Sequence, residues 1–489
     1  MNLQTPAWVK HSIFYQIFPD RFSRSQYTKN ITGVRLKDWG TAPEVESFQG
    51  GDLYGIIERL DYLQDLNINA LYLNPIFSSA SNHRYHTYDY FQVDPLLGGN
   101  KALRYLLDEC HQRNIKVVLD GVFNHCGRGF WPFHHILENG HESPYLDWFI
   151  IHGWPLRPYN STEEHHHNYD SWWDLPALPK FNIKNKGVRK YLLSIAKYWV
   201  EFGIDGWRID AAEQIKDNTF WQEFRQTVKA INPEAYICGE IWDIDSSWLK
   251  GDQFDGLMNY PLATSALGYF GGEKLRPSYF PDPNIHLERC DAEALALKIN
   301  QLQKTYTWQA NLSHLNILNS HDTARLPWVL GENRKAIQQC VLFQMTMPGI
   351  PCVYYGDEIG MSSPGIPCCR EAFPWYNEKS WNQNLLQYYQ DVTALRHRYT
   401  CFKTGDFRIL HSNNDGFVFA REAHDEYAIV GFNVGSKEIS IDLNIKDLSN
   451  NKRDFSQIYG DESVTIIQAE NLLHLEFPAR TSIVLFNAI

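Results

Sequence analysis

From residue 12 to residue 398, short runs of β-branched and aromatic residues alternate with longer amphipathic stretches. That alternation leaves few architectures open, because repeated strand–helix units pair their strands in parallel and cover them with the helices. The runs at 12–18 (SIFYQIF), 70–73, 116–120 (KVVLD), 204–210, 236–240, 255–259, 315–320 and 351–355 read as eight strands. Helices are predicted at 54–66, 101–112, 187–201 and 384–398. Eight strands with helices between them predict an α/β fold, a (β/α)8 TIM barrel. A long stretch after the third strand is rich in His, Trp and Pro without strong periodicity, and segments of that length usually carry function. Beyond residue 401 the runs become short and alternating (416–421, 427–433, 439–443, 481–486), which predicts a C-terminal antiparallel β-sandwich. The expected division is a catalytic barrel at 1–125 and 180–400, an inserted domain at 126–179, and the sandwich at 401–489.

Composition removes several function classes. Across 489 residues, 45 Lys and Arg face 57 Asp and Glu, a net charge of −12. Nucleic acid and anionic membrane surfaces are recognised by basic patches, so neither is an expected partner. No apolar run reaches the length of a membrane span. The N-terminus shows no basic and apolar leader pattern, and the nine cysteines form neither CxxC pairs nor a disulfide pattern. A cytoplasmic enzyme is expected. Aromatic residues make up 14% of the chain, and flat apolar rings suit a neutral, flat-faced ligand such as a sugar.

In a barrel the chemistry sits at the C-terminal ends of the strands. Those ends carry Asp120 (DGVFNH), Arg208 and Asp210 (GWRID), Glu240 (GEIW) and Asp322 (NSHD). One strand-end acid would be read as a helix cap, but acids at the ends of four strands point to a shared site. Arg208 and Asp210 are two apart on a strand and share a face, so the guanidinium is expected to keep Asp210 ionised. Glu240, followed by Ile241 and Trp242, is expected in an apolar setting that keeps it protonated. An ionised carboxylate beside a protonated one, about 5–5.5 Å apart, is the arrangement of a retaining glycosidase. Asp322 would be a third carboxylate steadying the transition state.

These four motifs, in this order and spacing, resemble those of the α-amylase family of retaining glycoside hydrolases. LPKFN (178–182), FDGLMNYPL (254–262), GIPCVYYGDEIGM (349–361) and the pair Cys369–Arg370 resemble its cyclomaltodextrinase, neopullulanase and maltogenic amylase branch. The resemblance implies Asp210 as nucleophile, Glu240 as acid/base and Asp322 as transition-state stabiliser. It implies His125 and His321 on the hydroxyls of the sugar being cleaved, Tyr85 (in HRYHTYDY) stacked on that sugar, and Arg208 orienting Asp210 with Asp120 beneath. Arg370 and His83 are further substrate-binding candidates. The implied substrates are malto-oligosaccharides and branched or cyclic α-glucans, cut at α-1,4 or α-1,6 bonds. A glucosyl transferase or isomerase, and a non-catalytic glucan-binding protein, are the alternatives on the same fold.

Departures from the family pattern add expectations. The branch usually carries an N-terminal β-sandwich, whereas here the first strand begins near residue 12. A homodimer would therefore need another mode of association, and the cleft is expected to be open. Gln214 stands where the family has an acceptor-side Glu, and Ile366 where it has an Asp. No cofactor is required, and calcium is not predicted, because FPDRFSRSQYTKN lacks an acidic binding loop and Asn124 alone cannot hold a calcium ion. The run His165-His166-His167 reads as a solvated loop, not a metal site.

Overall fold

The computed structural model describes residues 3–28, 33–159, 166–280, 287–445, 454–469 and 471–488. The barrel strands are β1 (Phe14–Ile17), β2 (Ala70–Leu73), β3 (Lys116–Gly121), β4 (Gly206–Ile209), β5 (Tyr236–Gly239), β6 (Gly256–Leu257), β7 (Leu315–Asn316) and β8 (Ile350–Tyr354). They pair in parallel in the order β6-β5-β4-β3-β2-β1-β8-β7. A parallel bridge between Met258 and Leu315 joins the two ends, so the sheet closes on itself. Nearly every strand residue is buried, as a barrel filled by its own side chains and wrapped by helices requires.

Element ends follow local chemistry. The helix Lys186–Phe202 starts where Asn185 Oδ1 accepts the Gly187 and Val188 amides at 2.8 and 3.2 Å, and stops at Gly203, whose φ of 106° few other residues adopt. The stretch 54–66 is two helices, Leu53–Ile57 and Leu60–Asp65, not one. Arg59 leaves helical geometry between them and lays its guanidinium 4.2 Å from the centre of the Trp375 ring. β6 and β7 have only two residues each. After β6, Asn259 caps a helix that opens at Tyr260, and after β7 the chain runs as buried loop through His321.

Two features were not read from the sequence. A hairpin of Phe77–Ser79 and Thr87–Val93 follows β2, with HRYHTYDY spanning its turn (83–86) and the start of its second strand (87–90). The segment after β3 holds a nine-residue helix, Trp131–Asn139, and is stitched back by the bridges His125–Lys180 and Phe149–Phe181. The C-terminal strands are β9 (Asp406–Asn413), β10 (Gly416–Ala423), β11 (Glu426–Asn433), β12 (Ile439–Asn444), β13 (Ser456–Gly460), β14 (Thr465–Ala469), β15 (Leu472–Phe477) and β16 (Ser482–Ala488). They form antiparallel sheets β9-β10-β11-β16-β13 and β12-β15-β14, packed over Val418, Ile429, Leu473, Leu475 and Ile483. β9 and β13 to β15 escape a hydropathy reading because half-exposed polar residues interrupt them. Gln339 ties the two halves together, its Nε2 donating to Asn433 O and Thr481 O at 2.8 and 2.9 Å.

Asp357, just past β8, is buried against Arg325 (3.3 Å) and accepts from Asn319 Nδ2 (3.0 Å). Burial pushes its carboxyl up to about 7 although Arg325 opposes this. The folded chain therefore keeps a proton that the unfolded chain releases, and this contribution is present in acid and lost as pH rises through about 7. Between about pH 5 and about pH 8, the Tm of Asp357→Asn should decline less than that of the parent. Equal slopes in thermal unfolding would exclude this assignment.

Candidate active site

Asp120 lies in β3, Arg208 in β4, Asp210 and Glu240 directly after β4 and β5, and His321 and Asp322 in the loop after β7. Parallel pairing brings them to one end of the barrel, and the register Ile209–Gly239 sets Asp210 beside Glu240. Arg208 is fully enclosed at their centre. Its Nη1 lies 2.8 Å from Asp120 Oδ1 and 3.2 Å from Asp210 Oδ1, and its Nη2 lies 2.9 Å from Glu240 Oε2.

One guanidinium thus serves three carboxylates, which corrects two expectations. Arg208 is not reserved for Asp210, and Glu240 is not in a purely apolar setting. Burial pushes the Asp210 carboxyl up, the Glu240 carboxylate adds to this, and Arg208 only partly opposes it. Asp210 is therefore not held in the low range that a private guanidinium would give. Its Oδ1 is engaged by Arg208, while its Oδ2 is buried without a protein partner. The next residue, Ala211, adopts a left-handed φ of 44° and donates its amide to Glu240 Oε2 at 2.8 Å. Such strain at a non-glycine residue persists where its surroundings fix it, and here it aims a donor at the second carboxylate.

Asp322 is held by Arg370 Nη2 on Oδ1 (3.0 Å), and His321 Nε2 lies 3.1 Å from its Oδ2 while hydrogen-bonding the Tyr85 hydroxyl at 2.5 Å. Gln16 Nε2 donates to His321 Nδ1 at 2.9 Å, which leaves the imidazole proton on Nε2. Burial and Arg370 hold His321 neutral. The Tyr85 ring lies parallel to that imidazole at 5.5 Å, and its hydroxyl donates to Asp120 Oδ2 at 2.9 Å. Tyr85 and His83 project from the hairpin turn, which buried Arg84 anchors to Asp94 at 3.1 Å. Asn124 Nδ2 meets His125 Nδ1 at 3.2 Å, and His125 Nε2 has no protein partner. Burial lowers the His125 pKa to about 3, so the ring is neutral and Nε2 carries a hydrogen that no protein group accepts.

A cavity of about 260 Å³ opens above these groups, lined by Asp210, Glu240, Asp322, Tyr85, His83 and Arg370. Arg208, His125 and His321 are buried behind that lining. Trp172, Trp173 and Trp242 also line it, with Gln214 and Ile366 at the two positions that depart from the family pattern. Phe280, Leu175 and Glu213 line it too and were missed, since no motif or periodicity marks them. Other rings from the sequence reading serve elsewhere: Trp207, Phe254, Tyr354 and Tyr355 are core, and Trp148 packs on Phe130 and Tyr145.

The family model described as "Alpha amylase, catalytic domain" matches residues 16–391. The chain belongs to the α-amylase family of glycoside hydrolases. The family's C-terminal domain model matches residues 405–485. This α-amylase-family chain is 42% identical to a cyclomaltodextrinase of Geobacillus thermopakistaniensis, over 90% of its own length and 72% of the relative's. It is 38% identical to an intracellular maltogenic amylase of Bacillus subtilis, over 92% and 73%. The solved structure of a Nostoc punctiforme debranching enzyme is 44% identical and superposes with a TM-score of 0.91, covering 99% of this chain and 100% of the other.

The histidine run needs a correction. His165 lies outside the described residues and His166 is exposed as expected, but the His167 side chain is covered: its Nε2 is 2.7 Å from Ser171 Oγ and 3.2 Å from Asp174 Oδ1. Among the described residues, no group of three or more His, Cys, Asp or Glu is arranged to hold a metal ion. Part of the FPDRFSRSQYTKN loop lies outside the described residues.

Replacing Arg208 tests the shared guanidinium of this α-amylase-family site. Arg208→Ala leaves three buried carboxylates uncompensated and should destabilise the fold by about 3–5 kcal/mol in denaturant unfolding. Arg208→Lys keeps the charge but not the fork, and should recover part of that stability while kcat/KM stays depressed at least about a hundredfold.

Proposed function

We propose that this chain hydrolyses α-1,4 or α-1,6 glucosidic bonds in malto-oligosaccharides and in branched or cyclic α-glucans, with retention of configuration. The observation that carries the reading is the pairing of Asp210 and Glu240 on one guanidinium, with Asp210 Oδ2 left free beside the cavity. Two carboxyl groups held this way suit the close spacing of retaining enzymes, about 5–5.5 Å. Asp210 Oδ2 attacks the anomeric carbon while Glu240 gives its proton to the departing glycosidic oxygen. A glycosyl–Asp210 ester results. Glu240, now ionised, takes a proton from water, whose oxygen attacks the same carbon and releases Asp210.

The remaining groups fit the positive charge and the hydroxyls of that sugar. Asp322 is steadied by Arg370 and lines the same cavity, where it stabilises the oxocarbenium-like transition state. His125 offers an unpartnered N–H, and Tyr85 offers a ring face. The substrate class is supported by the relatives' names, cyclomaltodextrinase, maltogenic amylase and debranching enzyme. A cytoplasmic location is supported by nine unpaired cysteines and by the relative named intracellular.

Incubation with maltoheptaose, a cyclodextrin and a branched maltosaccharide, followed by product separation, should show cleavage of at least one, with the α-anomer formed first by NMR. A β-anomer product would refute retention. Asp210→Asn should lower kcat by several orders of magnitude, because the covalent route is lost.

The pH dependence also follows. Burial raises the pKa of Asp210, and the mechanism has Glu240 hold its proton while Asp210 ionises, so the uncharged side chain of Glu240→Gln should leave the acid limb in place. A glucosyl fluoride, which departs without a proton, keeps that limb measurable in the variant. An acid limb that moves to lower pH would contradict the proton-donor role of Glu240.

A further inference from the structure

We propose that Trp173 and Phe280 form an aromatic arch over the catalytic cavity that discriminates substrates by size, favouring short saccharides over large branched glucans. This inference rests on the α-glucan reading above and names a specificity device within it.

One half of the arch comes from the segment inserted after β3. Trp172 stacks on His125 with ring centres 5.1 Å apart, and Trp173 stacks on Trp172 at 4.6 Å with the rings 5° from parallel. Trp173 and Asp174 both adopt left-handed backbone, with φ of 51° and 55°. Two successive non-glycine residues in that region are unfavourable unless their surroundings fix them. His167 does so, touching Asp174 Oδ1 at 3.2 Å and Ser171 Oγ at 2.7 Å, and the Leu175 amide closes the turn on Trp172 O at 3.0 Å. The result is an indole 58% exposed, held out over the cavity it lines. Core packing gives no reason to present a Trp this way.

The other half rises from the opposite wall. Trp242, two residues past Glu240, stacks on Tyr260 with ring centres 3.6 Å apart. Phe280 packs on Trp242 at 4.7 Å and meets Trp173 edge-on at 6.2 Å. Rings therefore run from His125 on one wall to Tyr260 on the other, and the walls meet at the Trp173–Phe280 contact. The open cleft expected from the sequence is bridged at this point. A single edge-to-face pair is a weak contact, so a bound chain can part it. A short saccharide fits beneath without doing so, whereas a large branched glucan must displace Trp173 against its pinned turn. The penalty falls on the larger substrate.

The test compares kcat/KM for amylopectin with kcat/KM for maltotriose. In Trp173→Ala and in Phe280→Ala the amylopectin-to-maltotriose ratio should rise about tenfold, while Trp173→Phe keeps a ring in place and should stay near the parent ratio. His167→Ala should raise the ratio in the same direction as a positioning change, and His167→Gln, which can still donate to Asp174, should restore it. If the ratio is unchanged or falls in the two alanine variants, the rings are sugar platforms and the arch is wrong. If the parent cleaves neither glucan, the substrate reading fails and takes this proposal with it.

Discussion

The site depends on the enclosure of Arg208. A buried guanidinium is tolerated only where its charge is met, and here three carboxylates meet it at 2.8, 3.2 and 2.9 Å. The same contacts fix the carboxylates relative to one another. Asp120 takes no part in lining the cavity and braces the guanidinium from beneath, with Tyr72 and Tyr85 donating to its other oxygen at 2.8 and 2.9 Å. Asp210 and Glu240 share the remaining positive charge. Like charges kept this close raise the pKa of Asp210, and their sharing of one cation keeps both groups compatible with a folded core.

The barrel makes that concentration of charge achievable. β3, β4, β5 and the loop after β7 contribute the charged residues at one end, while the interior below is filled by apolar side chains from the strands. The hairpin after β2, the segment after β3 and the loop after β7 then supply the cavity walls. They are held by specific ties such as Arg84–Asp94, the His125–Lys180 bridge and Gln16–His321. Strands and their ends carry Asp120, Arg208, Asp210 and Glu240, and tied loops carry Asp322 and the rings that line the cavity.

Most of the barrel was legible because strand and helix periodicities differ and the strands are mostly apolar and buried on both faces. The acids were legible because a charge directly after an apolar strand has few structural explanations. The Arg208 arrangement was only half legible. Spacing along one strand shows that Arg208 and Asp210 share a face, but the third partner, Glu240, depends on the register between β4 and β5. Phe280 and the left-handed turn at Trp173 were illegible, since a ring in an irregular segment carries no sign of what it faces. His167 was misread for the same reason: its side chain packs on the Tyr169 ring and reaches Ser171 and Asp174, contacts that its polar neighbours in sequence do not announce.

The sequence by itself determined the class of fold, the family, and the identities of the carboxylates, because these follow from periodicity and from motifs confined to single strand ends. Tertiary structure alone decided how charge is shared among Asp120, Asp210 and Glu240, which histidine nitrogens remain free, and which of the many aromatic rings surround the cavity. These are relations between segments far apart in the chain. They are set by sheet register and loop ties, where no local pattern of residues records the distance between side chains.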